Sequence, residues 1–106
     1  MLLAYSVYDG QVGYVQGMNL ITANLIYHIK NPAESFWALV ELMEYQELRL
    51  IYTGNLEHLG VHAANIESAM REHLDSIYSH MIGLGVSCRC FLDGWLLSLM
   101  SKVIPL

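Results

Sequence analysis

From Leu59 onward, apolar side chains recur at Leu59, Ile66, Met70, Leu74, Ile77 and Met81, at intervals of seven, four, four, three and four. Glu67, Arg71, Glu72 and Asp75 fall on other faces, so the stretch reads as one long amphipathic helix from about Leu56 to Ile82, ended by Gly83 and Gly85. The same helical period runs through the rest of the chain. Residues Leu2 to about Tyr8 form the C-terminal end of a first helix, closed by the Asp9-Gly10 turn signal. A second helix starts near Gly13 to Gly17 and runs to Ile29, where Lys30-Asn31-Pro32 breaks it. Asn31 then caps a third helix, with Pro32 at its first position and Glu34 at its third, and Phe36, Trp37, Leu39, Val40 and Met43 spread over a wide apolar face. The stretch 45–55 is partly irregular, with Thr53-Gly54-Asn55 as its break. Ser87 caps a last helix reaching about Val103 and carrying Phe91, Trp95, Leu96, Leu99 and Met100. No alternating run sits beside a hairpin turn, so the expected fold is all-α, an array of about five packed helices.

Composition sharpens that picture. The chain has 106 residues, of which 55 % are hydrophobic and only 14 % charged, against about 25 % charged in ordinary soluble domains. One domain of this size buries roughly 60–70 % of its unfolded surface and needs more polar cover than this. A membrane span does not account for the excess, because a spanning helix requires about 20 consecutive apolar residues. MNLITANLIYHI (18–29) is too short and holds Asn19, Asn24 and His28, while WLLSLMSKVIPL (95–106) is interrupted by Lys102 and stopped by Pro105. The N-terminus lacks a basic region and reaches Asp9 too early for a secretory signal. Cys88 and Cys90 are therefore expected as reduced thiols in the cytoplasm. The expectation is a piece of a larger helical domain, since no solvated tail marks either end of the sequence. Net charge is −5, and the five Lys and Arg are scattered rather than striped, which excludes phosphate-driven nucleic-acid binding.

Most candidate chemistry has a plainer reading. His58 and His62 share a helix spacing, but Cys88-x-Cys90 has one residue between its thiols where zinc sites use two to four, so no metal site is expected. No local signature supports a thiol nucleophile at either cysteine. Glu41/Glu44 and Glu72/Asp75 read as solvated faces, and the methionines Met43, Met70, Met81 and Met100 as core filling. The glycines of DGQVGYVQG lack the Gly-Lys-Ser/Thr ending of a phosphate-binding loop. VGYVQGMN (12–19) keeps two readings open. Gly13 and Gly17 permit close backbone approach with Gln16 merely solvated. Alternatively, Gln16 presents an acceptor and a donor together from a rigid helix start, able to hold a water and touch a phosphoryl oxygen without carrying charge.

VGYVQGMN, followed by ESFWALVELME (34–44), LRLIYTGNLEHL (48–59), HLDSIYSHMIGLGV (73–86) and FLDGWLLSLMSKVIPL (91–106), resembles the TBC-domain family, GTPase-activating proteins for Rab GTPases. The resemblance covers essentially the whole chain, so residues 1–106 are expected to be a partial TBC domain. It implies a two-finger mechanism in trans, in which an arginine from Ile-x-x-Asp-x-x-Arg neutralises developing charge while the glutamine of Tyr-x-Gln-Gly positions the attacking water. Carried over by position, Gln16 is that glutamine; Tyr14 and Gly17 shape the turn, and Met18 and Asn19 open the supporting helix. The implied partner is a Rab small GTPase in vesicle traffic, with GTP and Mg held by that partner and no cofactor of the chain's own. The implied location is cytoplasmic, at endomembrane surfaces through the partner alone. The family's arginine motif precedes Tyr-x-Gln-Gly, whereas none of the thirteen residues before Tyr14 is arginine. Arg49, Arg71 and Arg89 do not follow Ile-x-x-Asp either. The helices that follow in the family are also expected to be missing. The competing expectations are a non-catalytic TBC-like binding module and an unrelated helical protein that self-associates through its apolar faces.

Overall fold

A computed structural model describes residues 1–54 and 57–105. Among the described residues there are seven helices and no strand: α1 Leu2–Tyr8, α2 Met18–Ile29, α3 Pro32–Glu44, α4 Leu48–Thr53, α5 Glu57–His73, α6 Asp75–Gly83 and α7 Arg89–Leu97. The all-α expectation holds, with two more helices than the sequence pattern indicates. Asn55 and Leu56, the expected break and helix start, lie outside the described residues.

The start of α3 follows its local chemistry. The Asn31 side chain accepts from the backbone N–H of Ala33 at 3.0 Å and Glu34 at 3.2 Å, satisfying two donors that the helix leaves orphaned, and Pro32 occupies the first turn. Leu39, Val40 and Met43 are buried from this helix, but Trp37 is exposed, standing edge-on to Tyr8 at 6.2 Å rather than covering the core. The irregular stretch contains the short helix α4, which buries Leu48 and Ile51.

The long helix expected through Ile82 is bent. Leu74 leaves helical geometry, and α6 sets off from α5 at an angle. The bend lets the Tyr78 hydroxyl donate to Glu67 at 2.9 Å and accept from Arg71 at 3.3 Å. On a straight helix, residues eleven apart are separated by about 16 Å. The continuous stripe is consequently used only in part: Leu59 is fully buried and Ile66, Met70 and Met81 pack on a core cluster, whereas Leu74 and Ile77 are exposed. The last helix ends at Leu97 instead of Val103. The Ser98 hydroxyl donates back to the Gly94 carbonyl at 2.8 Å, and Leu99 and Met100 take left-handed φ values of 47° and 65°.

Two apolar clusters result. The larger joins α1 to α5 around Tyr5, Met18, Leu39, Met43 and Leu59; the smaller sets Ala63 of α5 against Cys88 and Leu92. Leu96 packs against both. The chain extends 47 × 29 × 20 Å with a radius of gyration of 15.7 Å, above the roughly 13 Å of a compact chain this long. Helices therefore stack largely on their sequence neighbours, with α7 returning along α5. Among the described residues, no helix is long and apolar enough to cross a membrane.

Candidate functional site

The segment between α1 and α2 is anchored at one end and shaped by glycine at the other. Asp9 is the anchor. Its carboxylate accepts from the Arg49 guanidinium at 2.5 and 3.1 Å and from the backbone N–H of Gln11 and Val12 at 3.2 and 3.3 Å. Arg49 also donates to the Gln11 side chain at 2.7 Å. Hydrogen bonding from Arg49 holds the Asp9 carboxyl below the usual carboxylate range, against an opposing push from burial.

At the other end, Val15, Gln16, Gly17 and Met18 form a tight turn closed by the Met18 N–H on the Val15 carbonyl at 3.1 Å. The Met18 thioether, fully buried, accepts from the Val15 N–H at 3.3 Å. Gly17 has φ 109° and caps α2, its carbonyl accepting from Leu20 at 3.1 Å. That backbone favours glycine, and space demands it too: a Cβ on Gly17 would lie 2.5 Å from the Leu97 carbonyl oxygen. Gly13 shares the positive φ but has open space around it. Of the two glycines expected to allow close approach, Gly17 does so.

Gln16 is thereby presented to solvent just ahead of the positive end of helix α2. It lines a cavity of about 620 Å³ together with Tyr14, Gly17, Asn19, Ser98 and Lys102. Among the described residues, the Gln16 amide makes no hydrogen bond within the chain. Four of the five site residues carried over from the resemblance thus meet at one cavity; Met18 lies beneath it in the core. Ser98 and Lys102, which α7 and the turn after it bring to the same rim, have no local signal in the sequence. The one trace of their approach is Gly17, whose missing side chain leaves room for the Leu97 backbone.

The three arginines are engaged elsewhere. Arg49 is held by Asp9 and lines a separate cavity with Tyr8, Glu44 and Glu47. Arg71 lies over the Tyr78 ring at 5.3 Å, and Arg89 makes paired hydrogen bonds of 2.6 and 3.0 Å to Asp93. Among the described residues, no group of three or more His, Cys, Asp or Glu is placed to hold a metal. Cys88 is fully buried, and burial pushes its thiol up, which suits a core side chain rather than a nucleophile.

Fold and site together define an all-helical module whose glycine-built turn presents a glutamine at a surface cavity. The profile of the Rab-GTPase-TBC domain matches residues 1–106, and the chain belongs to that family. It is 35 % identical over 106 residues to the GTPase-activating protein GYP5 of Saccharomyces cerevisiae, covering 100 % of this chain and 12 % of that protein. It is 31 % identical over 106 residues to the Rab GTPase-activating protein eat-17 of Caenorhabditis elegans, again covering 100 % and 12 %. Carabin of Mus musculus is 30 % identical over 105 residues, 99 % of this chain and 23 % of that protein. The chain therefore spans about an eighth to a quarter of the length of these relatives. No solved structure matches it significantly.

Proposed function

We propose that this chain is the glutamine-bearing part of a GTPase-activating protein for Rab-family small GTPases. The observation that carries the reading is the presentation of Gln16, without a hydrogen-bond partner among the described residues, on a rigid turn at the head of α2 and on the rim of a cavity of mixed polar and apolar lining, in a chain of the Rab-GTPase-TBC family. The amide oxygen accepts from the attacking water while the NH₂ donates to a phosphoryl oxygen. Both the GTP and the Mg ion belong to the partner. Tyr14 and Asn19 flank the amide, and Gly17 and Met18 fix the turn. The role belongs to vesicle traffic in the cytoplasm, with any endomembrane contact made through the partner.

Such hydrolysis also needs a cation against the growing phosphoryl charge, and an arginine finger contributes roughly 10³–10⁵ in rate. The 106 residues contain no Ile-x-x-Asp-x-x-Arg, and Arg49, Arg71 and Arg89 are held by Asp9, Tyr78 and Asp93. By itself the chain accordingly binds GTP-loaded Rabs weakly without strong stimulation. A second reading is a TBC-like docking module that never stimulates, and an Ile-x-x-Asp-x-x-Arg upstream of Tyr14 in the parent protein would count against it. Single-turnover hydrolysis on a panel of GTP-loaded Rabs, with the chain and with Gln16→Ala, tests the first. Robust acceleration by the unmodified chain would contradict the half-site reading. Binding to a Rab carrying GDP and aluminium fluoride that Gln16→Ala leaves unchanged would favour the docking module.

A further inference from the structure

The Leu97 carbonyl belongs to the last residue of α7, so it is one of the acceptors a helix end leaves without an intrahelical donor. The next free amides are taken: Leu99 N–H bonds to Leu96, Met100 to Trp95 and Ser101 to Ser98. The donor that reaches Leu97 comes from another helix. Tyr52, half-buried on α4, donates its hydroxyl to the Leu97 oxygen at 2.5 Å. This is the same oxygen against which Gly17 is packed, the one that a Cβ at position 17 would strike. Three distant segments thus meet on one atom: the α4 tyrosine, the end of α7 and the turn that carries Gln16.

We propose that Tyr52 is a positioning residue for the Gln16-Gly17 turn, its hydroxyl fixing the Leu97 carbonyl that serves as the turn's backstop. Without that donor the carbonyl must find water or another partner. The bonds that remain at the end of α7 run within its own last turn, so without the tyrosine no side-chain hydrogen bond among the described residues ties the Leu97 carbonyl to α4. The turn then loses the wall that sets the Gln16 angle. Tyr52 touches no substrate in this scheme. The inference rests on the reading of Gln16 as the water-positioning group, but the turn's rigidity is measurable without any partner.

The test is Tyr52→Phe in this chain, which keeps the ring and removes the hydroxyl. Tyr78→Phe serves as control, since it deletes a tyrosine hydrogen bond to Glu67 far along the chain from the turn. By NMR, Tyr52→Phe is expected to shift the Gln16 side-chain amide resonances and to speed Met18 amide exchange roughly tenfold, the size set by one ordinary hydrogen bond. Amides of α3 should be unaffected, and Tyr78→Phe should leave the turn alone. Unchanged Gln16 and Met18 signals in a folded Tyr52→Phe chain overturn the proposal. In the unmodified chain the Tyr52 hydroxyl proton and the Met18 amide are expected to open together; protection of one without the other also overturns it. A binding split separates this idea from the functional reading beneath it. Tyr52→Phe should lose roughly tenfold in affinity for a Rab with GDP and aluminium fluoride and keep its affinity for the GTP-analogue form. If Gln16→Ala shows that split and Tyr52→Phe does not, positioning by Tyr52 is wrong while the finger stands. If Gln16→Ala shows no split either, the finger reading has failed, and the NMR result alone decides whether Tyr52 sets the turn.

Discussion

Gly17 and Gly13 both sit at positive φ, yet only one has a neighbour in the way. Gly17→Ala combines left-handed strain with a clash against backbone, and is expected to destabilise the chain by roughly 3 kcal/mol. Gly13→Ala meets open space and should cost about 1 kcal/mol. For a chain of this size each kcal/mol corresponds to roughly 4–8 °C in melting temperature, so thermal unfolding by circular dichroism separates the two. Asp9 gives a second check. Its folded-state pKa is depressed by Arg49, so its stabilisation is complete above the ordinary carboxylate range and disappears as pH falls through the folded value. Melting temperature should decline through that acid window, and Asp9→Asn should lower it at neutral pH and flatten the decline. The turn that exposes Gln16 ahead of α2 is legible in its two glycines. Its cavity partners Ser98 and Lys102 are not, because nothing local to either position ties it to a turn some eighty residues earlier.

Helix α3 begins where Asn31, Pro32 and Glu34 say it should, because capping is settled within four residues of sequence. Asn31→Ala removes the side-chain acceptor for Ala33 and Glu34 and is expected to destabilise by about 1 kcal/mol, read from urea unfolding with unchanged slope. The bend at Leu74 and the early end of α7 escaped the periodic pattern for the opposite reason. The apolar period runs unbroken through Leu74, and tertiary events reward the turn: Tyr78 meeting Glu67 and Arg71, and Tyr78 and Met81 packing on the smaller cluster. At the far end, Leu99 occupies left-handed backbone while its side chain is 44 % exposed. Replacing it with glycine removes about 1–2 kcal/mol of strain but gives up more than half of the side chain's burial, about 1 kcal/mol, and adds chain entropy. Leu99→Gly should therefore be close to neutral, destabilising by no more than about 0.5 kcal/mol.

Across the chain, burial is unevenly shared. Helix α6 buries no residue fully and leaves Ile77 and Ile82 exposed, whereas α2 and α3 carry much of the larger cluster. Hydrogen exchange should show α6 opening below the global transition, with protection at least roughly tenfold lower than in α3. Equal protection in both helices would mean the two clusters unfold as one. The obstacle facing Gly17 has a further consequence for genetics. It is a main-chain oxygen, and every amino acid that could stand at position 97 carries the same atom. A search for second-site revertants of Gly17→Ala should therefore recover none that act merely by trimming the Leu97 side chain. Relief has to come from changes that shift the end of α7 bodily, so the turn's shape is inherited through the path of a neighbouring helix rather than through any pair of matched side chains.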